Sequence, residues 1–288
     1  MSQAQPAVTT TRFAPSPTGY LHLGHAYSAL FAARAAREAQ GRFLVRIEDI
    51  DPTRCRPEFE QAIFTDLAWL GLVWETPVRR QSEHMADYRD ALARLDAMGL
   101  LYPCFCTRAE IKAEIARSGD APHGPLGTPY PGTCRRLGPA ERAARKADGS
   151  AYAIRIDMEQ AIRAAGGAPL TFHDRGRGWQ VATPAIAGDI VLARKETPAS
   201  YHLAVVVDDA LQGVTLVTRG EDLFPATNIH RLLQALLGLP VPDYHHHPLL
   251  TDQGNQRLAK RSGAESLKSL RERGITPAAV REMAGCAN

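Results

Sequence analysis

The stretch from Arg12 to His25, RFAPSPTGYLHLGH, limits what this chain can fold into more than any other. Residues 9–14 read as a short strand. Pro15, Pro17 and Gly19 interrupt it, and His22-Leu23-Gly24-His25 then opens a helix whose apolar positions, Ala26, Ala29, Leu30 and Ala33, recur at helical spacing. The first N–H groups of a helix lack partners inside it, and the helix dipole favours negative charge there. Strand, Gly/Pro turn and helix start together predict an anion site, and the two histidines add donors to it. A phosphate chain, and so a nucleotide, is the ligand this predicts.

The residues beyond this stretch have the periodicity of an α/β domain. Gly41 is expected to end the first helix, and Arg42–Ile47 (RFLVRI) reads as a buried strand, giving a strand–helix–strand unit that crosses over into a parallel sheet. Phe59, Ala62, Ile63, Leu67 and Leu70 mark a second helix stopped by Gly71. Met85, Tyr88, Leu92 and Leu95 mark a third stopped by Gly99. Between Leu101 and Arg136 the pattern breaks: three cysteines and five prolines leave only Arg108–Arg117 as a helix candidate, so something other than an apolar core must hold this segment. Strands are expected at Tyr152–Ile156, Leu170–His173 and Ile190–Ala193. His202–Asp208 (HLAVVVD), apolar on both faces, reads as the strongest strand of a parallel sheet. A helix is expected through Ile229–Leu237, a strand at Pro248–Leu250, a polar loop at Thr251–Gly263 and a short helical tail. The division this implies is a first half-domain at 1–100, an insertion at 101–195 and a second half-domain at 196–288.

Composition narrows the class. With 44% hydrophobic and 23% charged residues, the 288-residue chain has ordinary globular content, and no apolar run approaches a membrane span. A formal charge of +3 permits a nucleic-acid partner without requiring one. Five cysteines, two of them in Cys104-Phe105-Cys106, make a disulfide framework unexpected, so a cytoplasmic enzyme is expected; a monomer is the default expectation for its oligomeric state. His245-His246-His247 does not read as a metal site, because adjacent strand side chains alternate faces. Cys55 and Cys286 have no evident partner. Asp208-Asp209 suits a cap or a substrate contact equally. Arg135-Arg136 and Arg175–Arg177 suit solvated surface or phosphate contacts.

A second cationic feature, Arg257-Leu258-Ala259-Lys260-Arg261, would be a solvated turn in isolation. Beside a phosphate cradle, a lysine there is a means of stabilising charge that develops at phosphorus. Taken in order, RFAPSPTG, HLGH, RIEDIDPTR, RGEDL at 219–223 and the RLAKR loop resemble the class I aminoacyl-tRNA synthetases, and within them the glutamyl-tRNA synthetases, over about residues 10–265.

This resemblance implies an α/β fold: a Rossmann-like parallel sheet with an inserted zinc-containing α+β subdomain. It also implies activation of L-glutamate by ATP with Mg2+. The glutamate site would comprise Arg12, Phe13, Ala14, Pro15, Ser16, Glu48, Tyr201 and Arg219. Glu48 would take the α-ammonium and the arginines the carboxylates, which a guanidinium grips with two parallel bonds. His22, Gly24, His25 and Lys260 would bind ATP, with His22, His25 and Lys260 acting on its phosphates. Arg257 and Ala259 depart from the family's loop pattern, which predicts altered loop closure.

Cys104, Cys106 and Cys134 are three soft ligands in a segment without a core, the setting of a structural zinc site that needs a fourth ligand. Spacing favours His123 as that ligand, since tyrosine seldom binds zinc; the resemblance, through a Cys-x-Cys, Tyr-x3-Cys pattern, favours Tyr130. About 27 residues come after the RLAKR loop, too few for a helical anticodon-binding domain. This shortness, the cysteine pattern and the wording LHLGHAYSAL resemble the truncated glutamyl-tRNA synthetase paralogues that glutamylate queuosine at the wobble position of tRNA(Asp). The alternatives are a glutamyl-tRNA synthetase charging the tRNA 3′ end and a non-catalytic RNA-binding paralogue.

Overall fold

The structure, a computed structural model, describes residues 8–107, 109–111, 130–194, 198–250 and 265–286. Strand β1 (Thr10–Phe13) leads to helix α1 (Leu23–Glu38), strand β2 (Arg42–Ile47), α2 (Pro57–Trp69), β3 (Arg79–Arg80) and α3 (Met85–Ala97). Next come β4 (Leu101–Cys104), α4 (Pro139–Ala147), β5 (Ala153–Ile156), α5 (Met158–Ala164), β6 (Thr171–Asp174), β7 (Gly178–Val181) and β8 (Val191–Arg194). The chain closes with α6 (Tyr201–Leu211), β9 (Leu216–Gly220), α7 (Phe224–Leu237), β10 (Asp243–His247), α8 (Leu267–Glu272) and α9 (Pro277–Met283).

β1, β2 and β3 form one parallel sheet; β9, β10 and β6 run parallel in a second, with β7 antiparallel on β6. The two sheets meet at β1 and β9, where the Thr215 N–H donates to the Thr10 carbonyl at 3.0 Å and the Thr10 N–H donates to Thr215 Oγ1 at 2.8 Å. From β1 the chain moves outward in one direction to β2 and returns on the other side as β9. That reversal is where open α/β sheets bind ligands, beyond the carboxyl ends of the strands. α1 and α2 share a core with β1, β2, α8 and α9 through Phe13, Ala29, Val45, Ile63, Leu267 and Val280; α3, α6 and α7 pack together through Tyr88, Leu95, Leu203, Val206, Ile229 and Leu233.

Two expectations need correction, and the expected insertion has its strands in two sheets. Tyr201–Leu211 is a helix, not the strand expected at His202–Asp208. Its three valines disfavour helix only weakly, and that preference yields to burial: every residue from Leu203 to Asp209 is buried, and the Ser200 hydroxyl caps the start by accepting from the Leu203 N–H at 3.4 Å. The last strand runs through the histidines, Asp243–His247, and Pro248–Leu250 lies beyond it. The segment 101–195 divides between two sheets: β4, β5 and β8 form a small antiparallel sheet, with Pro103 tolerated on its edge strand, while β6 and β7 join β10.

The other expected elements stand close to where spacing put them. After α1 the left-handed residue is Gln40 (φ 49°). Gly41 serves differently: a Cβ there would lie 1.9 Å from the Thr9 carbonyl oxygen, so only glycine lets β2 start beside β1. Among the described residues, Ala109–Ile111 is helical within the expected Arg108–Arg117. The expected loop at Thr251–Gly263, with Arg257, Ala259 and Lys260, and the alternative zinc ligand His123 lie outside the described residues.

Candidate active site

A cavity of about 460 Å³ opens beyond the ends of β1, β9 and β10. Arg12, Phe13, Ala14, Pro15, Ser16, His22, Gly24, His25, Glu48, Tyr201 and Arg219 all line it. A second cavity of about 270 Å³ adjoins it, sharing Ser16, Thr18, Glu48 and Tyr201 and extending to Asp51, Gln81, Val191 and Ser200. Leu249 and Leu250 also line the cleft, and Ser266 pairs with His22 at its helix end.

At the helix end of the cleft, His22 is the N-cap of α1. Its Nδ1 accepts from the Gly24 N–H at 3.1 Å, and His25 Nδ1 accepts from the His22 N–H at 3.2 Å. Both rings therefore accept on Nδ1, which puts the proton of each neutral imidazole on Nε2. Two backbone N–H groups at the helix start are consumed in this reciprocal cap, and the histidine rings, 3.8 Å apart, stand at the opening in their place.

The floor of the other end is a buried charge cluster. Arg12 grips Asp209 with Nε on Oδ1 at 3.0 Å and Nη2 on Oδ2 at 3.3 Å, and donates to the Thr218 carbonyl at 3.2 Å. Arg46, fully buried inside β2, donates to Asp209 at 2.7 Å and Glu48 at 3.1 Å and lies 3.7 Å from Asp208. Asp208 in turn accepts from Arg79 at 2.7 Å, Gln81 at 2.8 Å and Tyr88 at 2.9 Å. Burial raises the Asp209 carboxyl, but the Arg12 and Arg46 guanidinium groups outweigh it and hold its pKa below the ordinary value. Burial dominates at Glu48 and pushes its pKa up despite Arg46 and Arg12. Asp208 and Asp209, which suited a cap and a substrate contact equally, are instead the counter-ions of this frame.

Arg219, at the end of β9, has a different environment. Its Nε donates to His246 Nε2 at 3.2 Å, Nη1 faces Tyr201 Oη and His230 Nδ1 at 3.2 Å each, and Nη2 donates to Thr227 Oγ1 at 2.6 Å. All of these acceptors are neutral. Among the described residues no carboxylate pairs with it, although it is only 5% exposed. Burial holds His202 and His246 at about 4, and Arg219 adds to the effect. The three consecutive histidines alternate as expected: His245 and His247 pack on Phe31, and His246 faces Asp174 and Arg219.

Sequence reasoning missed Arg46, Arg79, Asp174, Thr227 and His230. A signal existed for the first: an arginine inside an apolar strand has to find buried counter-ions. Of the basic stretches, Arg135 lies 3.4 Å from Asp189, Arg175 3.4 Å from Asp243 and Arg177 3.0 Å from Glu221, so these three are paired surface groups.

At the end of β4, the sulfur atoms of Cys104, of Cys106 just beyond the strand and of Cys134 in the helical turn Thr133–Arg136 lie within 4.8 Å of one another. Tyr130 Oη stands 3.4 Å from Cys106 Sγ and accepts from the Cys134 N–H at 2.8 Å. Three thiols and a phenol already polarised by a backbone donor are a donor set that fits a soft tetrahedral cation.

The family of class I tRNA synthetases (E and Q), catalytic domain, matches residues 8–285. The glutamyl-Q tRNA(Asp) synthetase of Rhodobacter capsulatus is 51% identical over 96% of this chain and 99% of its own length. The glutamate–tRNA ligase of Aquifex aeolicus is 40% identical over 94% of this chain but only 55% of its own. A crystal structure of the glutamate tRNA ligase from Elizabethkingia meningosepticum, in complex with its amino acid, superposes with a TM-score of 0.79 at 28% identity, covering 96% of this chain and 60% of that one. The sheet reversal, the capped histidine helix and the arginine-lined cleft thus have a common source: the chain belongs to the class I tRNA synthetases for glutamate and glutamine, and the glutamyl-Q tRNA(Asp) synthetases are relatives it matches over most of their length.

Proposed function

We propose that this protein activates L-glutamate with ATP, without tRNA, and transfers the glutamyl group to the queuosine at the wobble position of tRNA(Asp). The observation that carries the amino-acid part is a charge mismatch. Arg12, Arg46 and Arg79 each pair with one or more carboxylates among Glu48, Asp87, Asp208 and Asp209, whereas Arg219 is a buried cation with neutral hydrogen-bond partners. Glutamate, with two carboxylates and one ammonium, can supply the anionic partner that Arg219 does not have among the described residues. Its ammonium pairs with Glu48, whose Oε1 is already set by Arg46, and a carboxylate pairs with Arg219.

In the reaction, an oxygen of the α-carboxylate attacks the α-phosphorus of MgATP. The new C–O–P linkage forms as the bond to the β-phosphoryl oxygen breaks, and pyrophosphate departs with the electron pair. His22 and His25, protonated on Nε2, donate to phosphate oxygens, and Lys260 neutralises the leaving pyrophosphate. No covalent enzyme intermediate is required, because positioning and electrostatics suffice. The adjoining cavity beside Gln81, Val191 and Ser200 would give the acceptor hydroxyl an approach to the glutamyl carbonyl. There the ester bond forms as the bond to AMP breaks, AMP leaves with the electron pair and the hydroxyl proton is lost. Queuosine as acceptor is supported by the relatives that share most of this length. Its cyclopentenediol offers vicinal hydroxyls as a terminal ribose does.

Cys104, Cys106, Tyr130 and Cys134 would hold one structural zinc, which would tie β4 to the residues after 129 in place of an apolar core. One zinc per chain by elemental analysis is expected; metal-free, fully folded protein overturns this assignment. For the reaction, ATP–pyrophosphate exchange with glutamate and no tRNA is expected. Labelled glutamate should then transfer to tRNA(Asp) carrying queuosine and not to tRNA(Asp) lacking it. Equal transfer to both would overturn the acceptor, and absence of exchange would overturn the activation.

A further inference from the structure

Apart from Tyr201, the groups that hold Arg219 line no part of the cleft. A guanidinium only donates, so each atom it meets has to accept, and this fixes every proton in its surroundings. His246 presents Nε2 to Arg219 at 3.2 Å, so its proton resides on Nδ1, which faces Asp174 Oδ2 at 2.5 Å. Asp174 is itself fully buried. It also accepts from the His246 backbone N–H at 3.3 Å and, on Oδ1, from the Gly176 N–H at 2.9 Å, so its carboxylate is fixed at both oxygens. On the other side, His230 Nδ1 accepts from Arg219 at 3.2 Å and His230 Nε2 donates to His202 Nδ1 at 3.2 Å. One proton arrangement satisfies both chains, and among the described residues Asp174 is the only carboxylate in either.

We propose that Asp174, acting through His246, is a positioning residue for Arg219 and so for recognition of an anionic amino-acid substrate. Asp174 holds His246 in the single tautomer that can accept from Arg219. Its negative charge stays one imidazole away, close enough to steady the cation and too far to neutralise it. A carboxylate in direct contact, as Asp209 is with Arg12, would instead compete with the substrate. Asp174 belongs to β6 and meets His246 because β6 pairs with β10 at Tyr244↔Asp174. The short excursion of residues 171–181 into the main sheet thus reaches the site.

This inference rests on glutamate being the amino acid activated. The experiment is ATP–pyrophosphate exchange by the full chain, with KM for glutamate and for ATP measured separately. Asp174→Asn is expected to raise the glutamate KM by about 10- to 100-fold, the scale of a hydrogen bond to a charged group, with ATP KM and kcat little changed. In an Arg219→Lys background the same substitution should add nothing further. Parallel increases in both KM values, or an additive effect in the Arg219→Lys background, would mark a merely structural role and overturn the proposal. Should Asp174→Asn fail to fold, His246→Gln is measured by the same two criteria. It keeps an acceptor near Arg219 but loses the link to Asp174, and a glutamate KM equal to that of the unsubstituted enzyme overturns the proposal. If the unsubstituted enzyme shows no glutamate-dependent exchange, the activation reading falls and this inference with it. If it exchanges normally and Asp174→Asn has no selective effect, only the inference falls.

Discussion

Arg12 and Arg219 reach the same cleft from the ends of β1 and β9, and both are almost fully buried, yet they are held in opposite ways. Arg12 is locked by a two-point bond to Asp209, whose other partner is Arg46. Arg219 is held by Tyr201, Thr227, His230 and His246, all neutral. A buried guanidinium with a carboxylate in place is part of the frame, and stability depends on it. One surrounded by neutral acceptors keeps its charge for a ligand, and affinity depends on it. One residue type, about equally buried, thus meets a fixed carboxylate on one side of the cleft and neutral acceptors on the other, and under the proposed function only the second is left without an anion.

The most direct way to break this comparison is to remove each arginine in turn. Arg219→Ala should lower kcat/KM for glutamate by about 2–5 kcal/mol, the cost of truncating one member of a buried charge pair with substrate, and should unfold less readily than Arg12→Ala. Arg12→Ala leaves Asp209 with Arg46 alone and should lose about 3 kcal/mol of unfolding free energy in denaturant titrations. Equal stability losses in the two variants would show that both arginines are structural.

Acidification sharpens the same contrast. His202 and His246 are held by burial at about 4, below the ordinary 6.5. A base whose folded pKa is depressed contributes stability that is complete only above the unfolded value. It is lost as pH falls from there toward the folded value, because the unfolded chain takes up protons the folded chain refuses. Asp209, with its pKa held below the ordinary carboxylate value, contributes stability that is present above the unfolded carboxylate pKa and is lost only as pH falls through its folded pKa. Tm should therefore begin to fall below roughly pH 6.5 because of the histidine side, with a separate loss at lower pH from the carboxylate frame. His246→Gln should flatten the first slope and leave the second. An unaltered first slope would remove His246 from the account.

The two sides also differ in how much the sequence revealed. Arg12–His25 is legible because its rules are local: prolines stop a strand, a capping residue starts a helix, and every residue concerned lies within a few positions of the next. RFLVRI is legible for the same reason, and Arg46 within it could have been flagged as a charge in need of partners. The environment of Arg219 is different. Asp174 and His246 are 72 residues apart, and they meet only because β6 leaves the inserted region to pair with β10. Helix α6 reads as a strand since a run of valines has no period of its own, and what decides its form is the packing of α3 and α7 around it. The histidine-capped helix start was written in short-range chemistry, whereas the groups around Arg219 come together only through topology.

The smallest expected effect tests the geometry of the Arg219 fork most closely. Thr227 Oγ1 lies 2.6 Å from Nη2 on the face of α7, and it is the only hydroxyl of the set on an aliphatic side chain. Thr227→Val keeps the shape and removes the acceptor, so one N–H of the guanidinium loses its direction while the cation itself remains. The glutamate KM should rise by about 3- to 10-fold, equivalent to roughly one hydrogen bond, while the Tm shifts little and ATP KM stays constant. Thr227→Ser, which restores the oxygen, should return the glutamate KM to that of the unsubstituted enzyme. If Val and Ser behave alike, Nη2 is held by packing and not by the hydroxyl, and the orientation of Arg219 would rest on His246, His230 and Tyr201.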